Sequence, residues 1–469
     1  MHIRRIHLLA SLPLALSLAL PAAAVAKRSQ FTMFQATREM RSPDAAVRAE
    51  TLDEIQGLGV HWLRVLVYWR DVAPSPDSPS VPSFDETDPA DYPGWATYDR
   101  IVADAKARGI RLLLTVTGPV PRWATRSHKD NVTRPSATRF RRFMTAVGRR
   151  YGDDVDYWSI WNEPNHPQFL GPQYIHGHPY SPKLYRQLFR AGRSGLDRSG
   201  NEHDRVLMGE TAPRGNSHVV APLDFVRGSL CLTSSYHRRH GCGSLDVDGW
   251  AHHPYTTPAG PWFVSDNRDD VTIATLSRLT RALDRARRAH AVRRRVDLYL
   301  TEFGVQSEPD PINGVSEAKQ AEYRSIGELI AYRNPRVRAF SQYLMRDDLP
   351  RPGTPSERYG GFESGLRHSD GSRKLAYDGF RLPLVARRTS RHRTYLWGLV
   401  RPAQGRVTVR IEYRDPGSAH WRTLKHDHSD SHGYWSSTTS YRSGRSYRVR
   451  WTAQDGTSYT GPRTRVYSR

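Results

Sequence analysis

Along this chain the period of apolar and polar positions changes many times, and the changes fall in a regular order. Short runs rich in β-branched and aromatic residues recur eight times: FTMFQ (31–35), WLRVLVYW (62–69), RLLLTVT (111–117), VDYWSIW (155–161), RVLMGE (205–210), DVDGWAHH (246–253), VDLYLTEF (296–303) and VRAFSQYLM (337–345). Such near-continuous apolar runs are what strands covered on both faces look like. Amphipathic helical stretches lie between them. In YDRIVADAKARGIRLLLTV the helical spacing of Ile101, Ala105 and Ala107 stops at Gly109, and a strand follows at once. Ser42-Pro43 and Ser181-Pro182 each set a capping hydroxyl before a proline at the first helical position, where a missing N–H leaves nothing unpaired.

Eight strand–helix repeats predict an α/β fold, a (β/α)8 TIM barrel over residues 27–385 with loop insertions. A doubly wound open sheet is the alternative, but no Gly-rich phosphate loop follows the first strand. Beyond the barrel the period falls to two, broken by Gly, Pro, Asp and Ser turns, as in GLVRPAQGRVTVRIEYRDPGSAHW, GYWSSTTSY and RSYRVRWTAQDGTSY. That pattern predicts a C-terminal all-β sandwich of immunoglobulin or fibronectin kind over residues 386–469.

The first 26 residues stand apart. Arg4 and Arg5 precede LLASLPLALSLAL and then PAAAVA, which predicts a secretory signal peptide cleaved after Ala26. An uncleaved anchor fits less well, because the run is short and carries Pro13 and Pro21. The mature chain is therefore expected outside the cell and free of the membrane, in keeping with a mean hydropathy of -0.67. Its two cysteines, Cys231 and Cys242, are expected to form one disulfide in that oxidising setting.

Charge adds a possible partner and removes another. The net charge is +23, and 63 of the 70 basic residues are arginine. From Arg387 onward 17 basic residues face 5 acidic ones, so the last module carries +12 and could contact an anionic cell-wall polymer. The arginines are scattered rather than gathered into a stripe, and no nucleic-acid partner is expected.

A barrel of this kind gathers the C-terminal ends of its strands at one mouth. Two of them end in glutamate: strand four in WNEPN (Glu163) and strand seven in YLTEFG (Glu302). A facing pair of carboxylates is what cleavage of a glycosidic bond needs, one protonated to release the leaving oxygen and one ionised to meet the sugar cation. The bland reading of each is a salt bridge with one of the many arginines. Glu210, at the end of strand five, is expected to be structural or to position substrate.

WSIWNEPN, YLTEFG, HHPY and WLRV together resemble glycoside hydrolase clan A, the barrel enzymes that include the family 5 cellulases and family 39 glycosidases. The likeness covers roughly residues 31–384 and leans toward secreted bacterial family 39-like proteins. It implies that Glu163 is the acid/base, that Asn162 binds the sugar 2-hydroxyl and that Glu302 is the nucleophile. It implies further that Arg64 keeps Glu302 ionised and that His253 and Tyr255 form the HxY of strand six, with the Tyr255 hydroxyl on Glu302. Hydrolysis of a β-linked poly- or oligosaccharide with net retention follows, the carboxyl groups standing about 5 to 5.5 Å apart, without cofactor or metal. The alternative is a carbohydrate- or wall-binding protein on a barrel scaffold that has lost turnover.

In one respect the chain departs from the clan. Many members close strand eight with a tryptophan platform, where this chain has FSQYLMRDD, so Tyr343 or Gln342 is expected to line the pocket. Trp123, Trp69, Phe169 and Trp262 are further stacking candidates. Asp347 and Asp348 either contact substrate or cap the next segment. His252 and His253 face opposite sides of a strand and are not expected to share an ion. HDHSDSH (426–432) is either a hairpin turn or a ligand cluster.

Overall fold

The structure is a computed structural model that describes residues 30–403 and 405–468, so the expected leader lies outside the described residues. Its first part is a closed barrel of eight parallel strands: β1 (Phe31–Gln35), β2 (Trp62–Tyr68), β3 (Arg111–Thr117), β4 (Tyr157–Ile160), β5 (Arg205–Thr211), β6 (Gly249–His252), β7 (Leu298–Leu300) and β8 (Val337–Tyr343). Each strand pairs with its neighbours in chain order, and β8 closes on β1. All eight predicted strands are present. Those expected at 155–161, 246–253 and 296–303 are shorter at both ends; the residues past their C-terminal ends leave the ladder for the mouth.

The barrel interior is a packed layer with one side chain from each strand: Met33, Trp62, Leu113, Tyr157, Leu207, Ala251, Tyr299 and Ala339. Gly249 opens β6 because a Cβ there would stand 2.4 Å from the Tyr299 ring. A larger core lies between the strands and the surrounding helices.

Neither Ser-Pro pair caps as expected. The first helix after β1 of any length, Ala45–Gly57, is capped by Asp44, whose side chain accepts from Ala46 N, while Ser42 accepts from Asp44 N in the preceding bend. Helix Ser181–Arg198 begins at Ser181 itself, and that hydroxyl is drawn off to donate to buried Gln173 at 2.8 Å. Cys231 and Cys242 are bonded. Among the described residues no helix is long and apolar enough to cross a membrane.

The C-terminal part folds as two antiparallel groups of strands over a shared core that includes Leu384, Leu396, Val409, Ile411, Trp435, Tyr447 and Val449. Strands 384–388, 393–399 and 434–440 form one group; 408–414, 422–428, 446–452 and 458–460 form the other. The two are one continuous sheet, because strand 464–467 pairs with both 384–388 and 446–452. The first strand starts at Leu384, two residues ahead of the expected boundary. HDHSDSH ends a strand and turns: Asp430 accepts from the backbone N–H of His432 and Tyr434.

This module rests on barrel helix Glu317–Arg333. Ile326 and Leu329 pack with Val385, Trp397, Leu399 and Tyr434. Within that apolar seam Glu328 is ion-paired on both sides, with Arg324 at 2.6 Å from its own helix and with Arg401 from the module.

Candidate active site

Strand β4 ends in a strained turn. Trp161 and Glu163 sit at φ 72° and 38°, in the left-handed region that bulky side chains avoid, at a cost of about 1–3 kcal/mol each. Neighbouring strands hold them there. Trp161 N–H donates to Val116 O at 2.9 Å, Asn162 N–H to Thr117 Oγ1 at 3.0 Å, and Glu163 N–H to Glu210 O at 3.0 Å. The second asparagine of WNEPN, Asn165, bonds through its amide to the backbone of Ala212 and Val220. The turn thus presents Glu163 at the mouth, where its side chain keeps 18% exposure.

Glu302, two residues past β7, reaches the same place from across the barrel with 9% exposure. Its surroundings are charged and fully buried. Arg64, from β2, donates to Glu302, Glu210, Gln35 and Asn162, the last at 2.6 Å. Tyr255 donates its hydroxyl proton to Glu302 Oε2 at 2.9 Å. Burial alone would push the Glu302 carboxyl up, but the charges of His253 and Arg64 and the Tyr255 hydroxyl outweigh it and hold the group below its ordinary value.

His253 joins the two acids. Its Nδ1 lies 2.9 Å from Glu163 Oε1 and 3.5 Å from Glu302 Oε2. Burial pulls the imidazole down, yet the adjacent Glu302 and Glu163 prevail and raise it. One oxygen of each glutamate and the histidine nitrogen fall within 4.8 Å of one another, close enough for a divalent ion to be held between them. Arg64, bonded to Glu302, already supplies positive charge at that point.

The structure brings Glu163, Glu302, Asn162, Arg64, His253 and Tyr255 together. Tyr343 joins them at the end of β8, edge-on to Tyr255 with ring centroids 6.1 Å apart. Trp123 does not belong to the group. It is fully buried, edge-on to Trp69, with its indole N–H on Pro74 O, and it has no face to offer a sugar. Trp69 stacks on Phe143 in the same core, and Trp262 packs on Tyr323 and Tyr467 at the module seam. Gln342 points outward and accepts from Arg324, which leaves Tyr343 as the β8 residue beside the site.

Three neighbours were not foreseen. Gln35 accepts from Arg64, Thr115 donates to Glu210 at 2.9 Å, and Phe362 meets Tyr343 with centroids 5.0 Å apart. Gln35 carried the same signal as Glu210, a polar residue closing an apolar strand. Phe362 lies in a long loop, and nothing in its spacing marks it.

The fold, a closed eight-stranded parallel barrel, is one also seen in solved glycoside hydrolases. A family 39 glycoside hydrolase from the gut symbiont Bacteroides cellulosilyticus superposes with a TM-score of 0.52 at 15% identity, over 90% of this chain and 81% of that one. A Bacteroides uniformis β-glucuronidase gives 0.47 at 11% identity over 94% of this chain, which spans only 46% of that one. The virulence factor SghA from Agrobacterium tumefaciens gives 0.46 at 16% identity, over 74% and 94% of the two chains. No protein-family profile and no curated protein sequence matches this chain.

Proposed function

We propose that this chain is a secreted retaining glycoside hydrolase acting on a β-linked poly- or oligosaccharide. The observation that carries the reading is the convergence of Glu163 and Glu302, from β4 and β7, on a single histidine. Their separation suits direct attack rather than an intervening water, since inverting pairs stand about 6.5 to 9.5 Å apart.

Glu302 is the nucleophile, kept ionised by Arg64 and Tyr255, and attacks the anomeric carbon as the glycosidic bond breaks. Glu163 gives its proton to the leaving oxygen. In the second step Glu163 takes a proton from water, which releases the sugar from Glu302 with its original configuration. Asn162 has its carbonyl oxygen bound to Arg64, which leaves its amide N–H groups free to donate to the sugar 2-hydroxyl. Tyr343 is a wall of the reactive subsite. The disulfide agrees with an extracellular location. Contact with an anionic wall polymer is assigned to the basic C-terminal module.

Hydrolysis of aryl β-glycosides and β-glucans, with the first-formed anomer followed by NMR, tests this reading. A β-configured first product is expected. An α-configured one would mean inversion, and affinity without turnover on every substrate would make the chain a binding protein.

A further inference from the structure

Behind Phe362, whose ring packs against Tyr343 and Tyr255, lies a separate cavity of about 370 Å³ whose lining includes Asp347, Asp348, Glu363, Tyr359 and His368. Asp348 is the link between it and the catalytic site. Its charge acts on Tyr343, and its carboxylate accepts from the N–H of Phe362. Asp347 is already committed, to Lys374 at 2.6 Å and to the Gly365 N–H. Glu363 is not. It is 2% exposed, and its Oε2 is buried without a hydrogen-bond partner.

An isolated buried carboxylate is unfavourable unless something meets it. Burial first, then Asp347, Asp310 and Asp348, push the Glu363 carboxyl up to about 7, and an arriving cation would draw it back to the ionised form. The chain as a whole is strongly basic, but charges beyond about 8 Å are screened at physiological ionic strength. Lys374 also acts on Glu363 and draws its carboxyl down, but it is paired with Asp347, which leaves Glu363, Asp348 and Asp370 to give the cavity wall a net negative charge. Arg367, the arginine nearest in sequence to His368, turns away to pair with Glu54.

Resting on the glycosidase reading, we propose that this cavity is a substrate subsite for a cationic amino sugar, with the ammonium group received by Glu363 and Asp348. A bare metal ion fits less well. Among the described residues the only set of three or more acidic or imidazole side chains whose ligand atoms all come within 4.8 Å of one another is Glu163, His253 and Glu302; at this cavity His368 and Asp347 approach as a pair, at 4.0 Å, so no ion cage is preformed here. The cavity is far larger than an ion needs, and Tyr359 offers an aromatic wall for a sugar face.

Calorimetric titration of the full chain carrying Glu302→Gln tests the proposal without cleavage. The probes are β-linked glucosamine oligosaccharides and their fully N-acetylated counterparts, with calcium chloride alone as a third arm. The free-amine series should bind about tenfold tighter than the acetylated one, the scale of one charge-assisted hydrogen bond. Adding Glu363→Gln, or separately Asp348→Asn, should bring that ratio close to one. A parent with no preference overturns the proposal, as does a variant that weakens both series alike. Calcium binding that Glu363→Gln abolishes overturns it in favour of an ion site. Failure of the glycosidase reading would appear elsewhere, as a wild-type chain that binds these sugars and cleaves none.

Discussion

Glu210 and Arg64 meet entirely out of solvent, and their contact fixes the edge of the guanidinium that is left for Glu302. Glu210 thus positions the positive charge that Glu302 meets. Glu210→Gln should lower stability by about 3 kcal/mol or more, since one partner of a buried ion pair is lost. Urea denaturation measures that. A kcat that falls while KM holds would show the effect reaching Glu302, where a purely structural residue would lower only the folded fraction.

The two glutamates should separate by leaving group. Glu163→Gln is expected to lose about a hundred- to ten-thousand-fold on alkyl glycosides, whose leaving oxygen needs a proton. The loss should be much smaller on dinitrophenyl glycosides, whose leaving group departs unaided. Glu302→Gln should be inactive on both. Equal losses on the two substrates for Glu163→Gln would remove it from the acid role.

The acid limb of the rate profile should depend on Arg64. Because the Glu302 value is depressed in the folded chain, its ionised form contributes stability above the ordinary value of 4.5, and this is lost as pH falls through the depressed one. Arg64→Met removes part of the depression, so the acid limb of kcat/KM should move upward by about one unit or more. Arg64→Lys keeps the charge and should restore most of the limb. An unmoved limb in Arg64→Met would show that Arg64 does not control the nucleophile.

Glu328 should matter to the whole chain although it lies far from the mouth. Glu328→Leu leaves Arg324 and Arg401 facing each other in an apolar seam, at about 3–5 kcal/mol. Replacing all three by apolar residues should recover most of that. Denaturant midpoints of the single and triple variants decide it.

Much of this architecture was legible in the chain because strand runs covered on both faces are long, apolar and evenly spaced. Glu163 and Glu302 stood out as charges closing such runs. Their meeting could be expected only from a closed barrel, since 139 residues separate them. The capping serines were misread because competing partners, Asp44 in one case and buried Gln173 in the other, are invisible to local pattern. Trp123 misled for a related reason. An aromatic shortly after a strand looks the same whether it faces the mouth or the helices; Trp123 lies in a 3-10 turn at 122–124, past the end of β3, where Trp69 and Phe84 enclose it. Phe362 and Glu363 come from a loop whose path only the fold decides.

The strand at 464–467 fastens both halves of the C-terminal module, and it leaves the ribosome after the other strands of the described residues. The two strand groups can each pair within themselves, but the edges of 384–388 and 446–452 stay open until 464–467 has emerged, while the barrel, whose last strand ends at Tyr343, can close well before. The order of birth thus gives the barrel a head start, and it makes strand 464–467 the fastening on which the union of the two groups depends.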